Sequence, residues 1–185
     1  MNVFIFHGRM GNPQENWFPW LKEKLEKKGH RVFIPQFPTP EGESLESWLK
    51  VMDKYNKYIN SETVLIGHSR GGRFLLLLLE RLKTPVRAAF LVCTSIGLKQ
   101  VAFSEEAYKF ANGWKFNWES IKSKAKCFFV YHSNNDPYVH LDNGKEIAKI
   151  LGVKLILIPK SGHFNTASGY TKFEQLYKDL KKILY

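Results

Sequence analysis

The chain has 185 residues, 44% of them hydrophobic and 24% charged, with a formal net charge of +11. That length suits one domain spanning 1–185 that buries about 70% of its unfolded surface, and the composition is that of an ordinary globular protein. The charge excludes less than its size suggests: Lys22, Lys24, Lys27 and Lys28 are interleaved with Glu23 and Glu26, with no Arg-rich run and no zinc-finger spacing, so it reads as a solvated face and not as a nucleic-acid interface.

The start, Met1 to Phe6, has no basic stretch ahead of its apolar run and reads as a first strand, Asn2–Phe6, not as a secretory leader, which points to a cytoplasmic protein. A helix over Trp17–Lys28 follows, with Leu21 and Leu25 inward and Gly29 as its stop, and then a strand over Arg31–Ile34. After the Pro-rich turn 35–40, Ser44 caps a helix reaching about Ile59, with Leu45, Trp48, Leu49, Met52 and Tyr55 at helical spacing. The pattern continues with strand Thr63–Ile66, helix Arg70–Leu82, and strands Ala88–Cys93 and Cys127–Tyr131. Helix Asp142–Leu151, strand Lys154–Ile158 and helix Lys172–Leu184 complete it.

Strands alternating with helices predict an α/β fold, a mainly parallel sheet of about six strands with helices on both faces. Only 94–125 breaks the rhythm; it carries Phe103, Tyr108, Phe110, Trp114, Phe116 and Trp118 without a clean strand and reads as a small lid or a helical excursion. The longest apolar run, Phe74 to Leu79, is far below the roughly 20 residues a membrane span needs. Cys93 and Cys127 each sit in or beside a strand-like run, have no metal-ligand spacing, and read as buried reduced thiols.

The most informative stretch is Gly67-His68-Ser69-Arg70-Gly71, wedged between a buried strand and a nearly all-leucine helix. Strand, Gly-x-Ser-x-Gly, helix is the nucleophile-elbow pattern: the turn strains the serine backbone, tolerates almost no side chain beside it, and sets the hydroxyl at a helix amino terminus. A serine hydroxyl needs a base to become a nucleophile, and in this architecture an acid and then a histidine follow at the ends of later strands. Asp136 is the carboxylate in the loop after the fifth strand, and His163 the histidine after the sixth. His132 and His140 compete for the role of base. His132 stands too near its strand, His140 precedes a helix, and His68 should point away from the hydroxyl. Backbone N–H groups of Arg9 and Arg70 are placed to hold the oxyanion, a contribution of about 3 kcal/mol per donor. His7, Trp114, Phe116 and Phe164 are candidates for the pocket wall.

The motifs WFPWLKEKL, FPTP followed by ESLESWL, GHSRGG, NWESIKSKAKC, NNDPYV and GHFN make the whole chain resemble the α/β-hydrolases, specifically the small serine hydrolases of the retinoblastoma-binding-protein-nine type. That resemblance implies a compact fold without a large cap, a triad of Ser69, Asp136 and His163, and action on small acyl substrates. Two departures stand out. Arg70 occupies an elbow position where small or aliphatic residues are usual. The Leu-x-Cys-x-Glu motif tied to the family's name is also absent, Leu91-Val92-Cys93-Thr94-Ser95 coming nearest, so no pocket-protein partner is expected.

The expected activity is hydrolysis of a small ester, thioester or amide without metal or organic cofactor, falling on the acid side of neutrality as the base protonates. The partner expected is a small acyl substrate, neither nucleic acid nor membrane. A hydrolase-fold protein that binds without turnover is the alternative. Arg9, Arg70 and Arg73 either select acyl groups bearing a carboxylate or phosphate, or pair with Glu15 or Asp142, or face water.

Overall fold

The computed structural model describes residues 1–99 and 115–185. Six short strands, β1 (Asn2–Phe6), β2 (Arg31–Phe33), β3 (Val64–His68), β4 (Ala88–Val92), β5 (Phe128–His132) and β6 (Leu155–Leu157), form one sheet in the order β2-β1-β3-β4-β5-β6. Every neighbouring pair is parallel. All residues of β3 and β4 are buried, as strands covered on both faces must be.

The period-2 alternation of the strands sorts the core into two layers. Phe4, Phe6, Leu65 and Leu91 meet Trp48, Phe74, Ile121 and Ile147. These last belong to α2 (Leu45–Asp53), α3 (Arg70–Arg81), α4 (Trp118–Ser123) and α5 (Leu141–Leu151). On the other face Val3, Ile5, Ile66 and Phe90 meet Leu21, Leu25, Leu176 and Leu180, from α1 (Phe18–Glu26) and α6 (Glu174–Leu184). The chain leaves β1 towards β2 and returns to β3, so the sheet's switch point lies between β1 and β3. Their carboxyl ends open the crevice where ligands bind in such sheets.

Three departures from the sequence pattern stand out. The helix begun at Ser44 has the expected cap, Ser44 Oγ accepting from Ser47 N at 2.9 Å, but it ends at Asp53. A short turn, Asn56–Tyr58, then lays Tyr58 on Phe33, ring centroids 4.8 Å apart, and aromatic packing overrides continuation of the helix. β3 runs through Gly67 and His68, which pair with Leu91 and Val92, although neither residue type advertises a strand. Part of the irregular interval is helical: Asn117 Oδ1 caps α4 by accepting from Ser120 N at 3.0 Å. The remainder of that interval, 100–114, lies outside the described residues, and Trp114 with it. No helix among the described residues is long and apolar enough to cross a membrane.

Candidate active site

Ser69 joins β3 to α3 with φ 55° and ψ −119°, a left-handed conformation that costs a non-glycine residue on the order of 1–3 kcal/mol and persists only where its surroundings enforce it. The enforcement is visible. Ser69 N–H continues the ladder to Val92 O at 2.8 Å, while Ser69 O accepts the N–H groups of Gly72 and Arg73 as α3 begins. A Cβ on Gly67 would collide with the backbone of Gly71 and Gly72, and one on Gly71 with the carbonyls of Phe6 and His7. From the other side, the loop after β1 closes in; a Cβ on Gly8 would stand 3.1 Å from Ser69 Cβ.

The candidate acid and base come from the ends of β5 and β6. Asp136 Oδ2 accepts the Nδ1–H of His163 at 2.7 Å, and Asp136 Oδ1 accepts the N–H groups of Tyr138 at 2.9 Å and Val139 at 3.0 Å. Its side chain is 1% exposed. Burial alone would raise its pKa; the hydrogen bond and charge of His163, with the Cys93 thiol and Val139 N–H, more than offset that and hold it below the usual carboxylate range. The two loops are stitched together by the residues just before Asp136. Asn134 Oδ1 accepts from Lys160 N, Ser133 Oγ from Ser161 N and Asn135 Oδ1 from Gly162 N, each at 2.9 Å. Gly162, at φ 54°, makes the turn that presents His163.

The competing histidines are occupied elsewhere. His132 is fully buried and donates Nε2–H to Val139 O at 2.9 Å. Burial lowers its pKa. His140 caps α5 through Nδ1, which accepts from Asp142 N. His68 is buried and donates to the backbone of His163. Cys93, His132 and Asp136 converge with ligand atoms within 4.8 Å of one another, residue types that suit a transition metal. The fit fails on hydrogen bonding: the His132 nitrogen facing Asp136 carries the proton it gives to Val139, and Asp136 is committed to His163 and two amides. Burial also raises the Cys93 thiol well above its ordinary range, against the thiolate a metal needs.

Ser69 and His163 open onto one cavity of about 350 Å³. Its lining includes Gly8, Arg9, Glu15, Arg70, Arg73 and Tyr138. Arg70 heads α3, and the first amides of a helix have no acceptor within it. Three of the expected wall residues are not among the described residues that line the cavity. His7 is fully buried against Phe37 and Trp48, Phe164 packs on Phe173 in the α1–α6 layer, and Phe116 lies on Trp118 with Arg73 above its ring. All three are aromatic, and composition alone does not separate core filling from pocket wall.

The arginines do not meet Glu15 or Asp142. Arg70 pairs closely with Glu43, and Arg9 Nε lies 3.7 Å from the same carboxylate, whose side chain is 6% exposed. Thr39 Oγ1 adds a hydrogen bond to it at 3.2 Å. Asp142 instead takes Lys99 at 2.6 Å. Glu43 sits in a turn without periodicity, so nothing in the sequence singled it out.

The serine hydrolase family profile matches residues 3–182. The chain belongs to the serine hydrolase family. It is 29% identical over 175 residues to the YdeN protein of Bacillus subtilis (strain 168), covering 95% of this chain and 92% of that one. It is 25% identical to the serine hydrolase RBBP9 of Rattus norvegicus, covering 91% and 86% of the two chains. The crystal structure of the ydeN gene product superposes with TM-score 0.90 at 28% identity over 98% of this chain and 97% of that one. Est1E of Butyrivibrio proteoclasticus, solved with ferulic acid bound, shares the fold with TM-score 0.70 at 16% identity over 97% and 89%. The chain is thus an α/β-hydrolase of the small retinoblastoma-binding-protein-nine type, and an enzyme of the hydrolase class.

Proposed function

We propose that this hydrolase cleaves a small carboxylic ester, thioester or amide through an acyl-enzyme on Ser69, with His163 as base and Asp136 as its orienting acid. The observation that carries this reading is the 2.7 Å bond from His163 Nδ1–H to buried Asp136, with His163 and Ser69 on the same cavity. Because Nδ1 holds the proton, Nε2 is the nitrogen that can take one. His163 Nε2 removes the Ser69 hydroxyl proton as Oγ attacks the acyl carbon. The resulting imidazolium, stabilised by Asp136, then gives that proton to the leaving alcohol, thiol or amine. A water repeats the sequence on the acyl-enzyme, with His163 again base and then acid, and releases the carboxylic acid. The N–H groups of Arg9 and Arg70 receive the oxyanion; both residues line the cavity at the Ser69 end of α3 and the β1 loop.

A cavity of this size suits a small substrate. The partner is a free small molecule and not nucleic acid, because the lysine-rich helix α1 spends Lys22 and Lys27 on i,i+4 pairs with Glu26 and Glu23. Two free thiols, one of them buried, support a cytoplasmic setting. The test is hydrolysis of p-nitrophenyl acetate and longer acyl esters by wild type and Ser69→Ala. Turnover is expected in wild type and a loss of at least about 10⁴-fold in the variant. Equal rates would remove Ser69 from the chemistry.

A further inference from the structure

His163 is held at each polar group except the nitrogen it needs for catalysis. Its N–H donates to Ser168 Oγ at 3.3 Å, its Nδ1–H to Asp136 at 2.7 Å, and its carbonyl accepts from His68 Nε2 at 2.8 Å. A carbonyl can only accept, so the His68 proton is on Nε2. The consequence is costly: His68 Nδ1 is buried with no hydrogen-bond partner among the described residues. The ring also lies 4.8 Å from the His163 ring, closed in by the edges of Trp17 and Phe18.

His68 is the residue immediately before the nucleophile. We propose that His68 is a positioning residue that registers the nucleophile against the base: Ser69 and the His163 ring border one cavity while the covalent neighbour of Ser69 grips the His163 backbone. This rests on the reading of Ser69 and His163 as nucleophile and base. The bond joins positions 95 residues apart, from the end of β3 to the loop after β6, which flank two intervening strands. Without it the base loop would still be held by Asp136, by the Ser133-Asn134-Asn135 clasp and by its own turn, but by no hydrogen bond to the nucleophile's strand among the described residues, and a displacement of about 1 Å at a reacting pair costs on the order of 100-fold in rate. The ring must also be uncharged, because a cation here would oppose the imidazolium forming on His163. Burial, with the neighbouring His163, pushes the His68 pKa down to about 3, which secures that at working pH.

The experiment compares His68→Phe, which keeps a ring and removes the N–H, with His68→Gln, which keeps an N–H donor. Kinetics use p-nitrophenyl acetate, with thermal melts to check folding. The expected result is a loss of about 10- to 100-fold in kcat for the Phe variant, with KM within about 2-fold, and recovery of most of that loss by Gln. A Phe variant with wild-type kcat, a Gln variant no better than Phe, or a loss confined to KM would each overturn the proposal. If the Phe variant does not fold, His68→Asn, whose amide is too short to reach, replaces it in the comparison with Gln. Wild-type turnover unaffected by Ser69→Ala would instead overturn the triad reading itself.

Discussion

The crevice has two halves built from similar parts. On the β1 side stand a buried histidine, His7, and a buried carboxylate, Glu43; on the β6 side stand His163 and Asp136. In the first half both imidazole nitrogens are spent on backbone: His7 Nδ1–H donates to Gly8 O at 2.8 Å, and Nε2 accepts from Phe37 N at 3.0 Å. Glu43 meets Arg70 and Arg9, side chains that do not release a proton at working pH. In the second half the carboxylate accepts from the His163 Nδ1–H, and the ring shares a cavity with Ser69. On the proposed reading the β1 half is scaffold and fixed charge, and the β6 half moves protons. Both halves hold a histidine and a carboxylate; what the second nitrogen meets makes the difference.

The largest effect should come from Asp136→Asn. An amide cannot hold the required tautomer, and kcat should fall by about 10⁴-fold in steady-state assays, with little change in Tm. A loss of less than about 10-fold would erase the contrast between the two halves. Glu43→Gln should instead act on stability: Arg70 and Arg9 would lose a shared carboxylate in a buried setting, at about 3 kcal/mol in denaturant unfolding, with a smaller fall in kcat than for Asp136→Asn. His7→Leu should orphan the Phe37 N–H and cost about 2 kcal/mol, lowering Tm while kcat stays within about 10-fold. A kcat collapse matching that of Asp136→Asn would place His7 in the chemistry after all.

The most gradual effect is in acid. His7, His68 and His132 all have lowered pKa values, chiefly from burial. On unfolding each returns towards about 6.5 and binds a proton the folded chain refuses, so this stability is complete above that value and is lost as pH falls towards the folded pKa. For His68 the window runs from about 6.5 down to about 3. Each group contributes a slope of up to about 1.4 kcal/mol per pH unit. Urea unfolding at pH 7, 6 and 5 should show falling stability, and His68→Phe should show a shallower fall. A flat wild-type profile would contradict the neutral, buried rings.

Much of this was legible in the sequence because apolar runs and glycine punctuation report directly on buried strands and tight turns. Ser69 was visible between Val64–Ile66 and the leucines of α3, and Asp136 and His163 were visible as polar residues just past strand ends. What could not be read were the partners that only tertiary approach creates. Glu43 has no periodicity to mark it, and the Ser133-Asn134-Asn135 run looks like a turn yet clasps the base loop. His68 was expected to point away from the hydroxyl. Its Nε2–H goes to the His163 carbonyl, and a backbone acceptor leaves no trace in sequence. His7 and Phe164 misled for the converse reason, since aromatic rings fill cores and line pockets alike.

The most direct test of the central claim is intact mass after exposure to a fluorophosphonate, on wild type and Ser69→Ala side by side. The account predicts a single adduct on folded wild type and none on the variant. No adduct on folded wild type, or an adduct that survives Ser69→Ala, would contradict an activated Ser69.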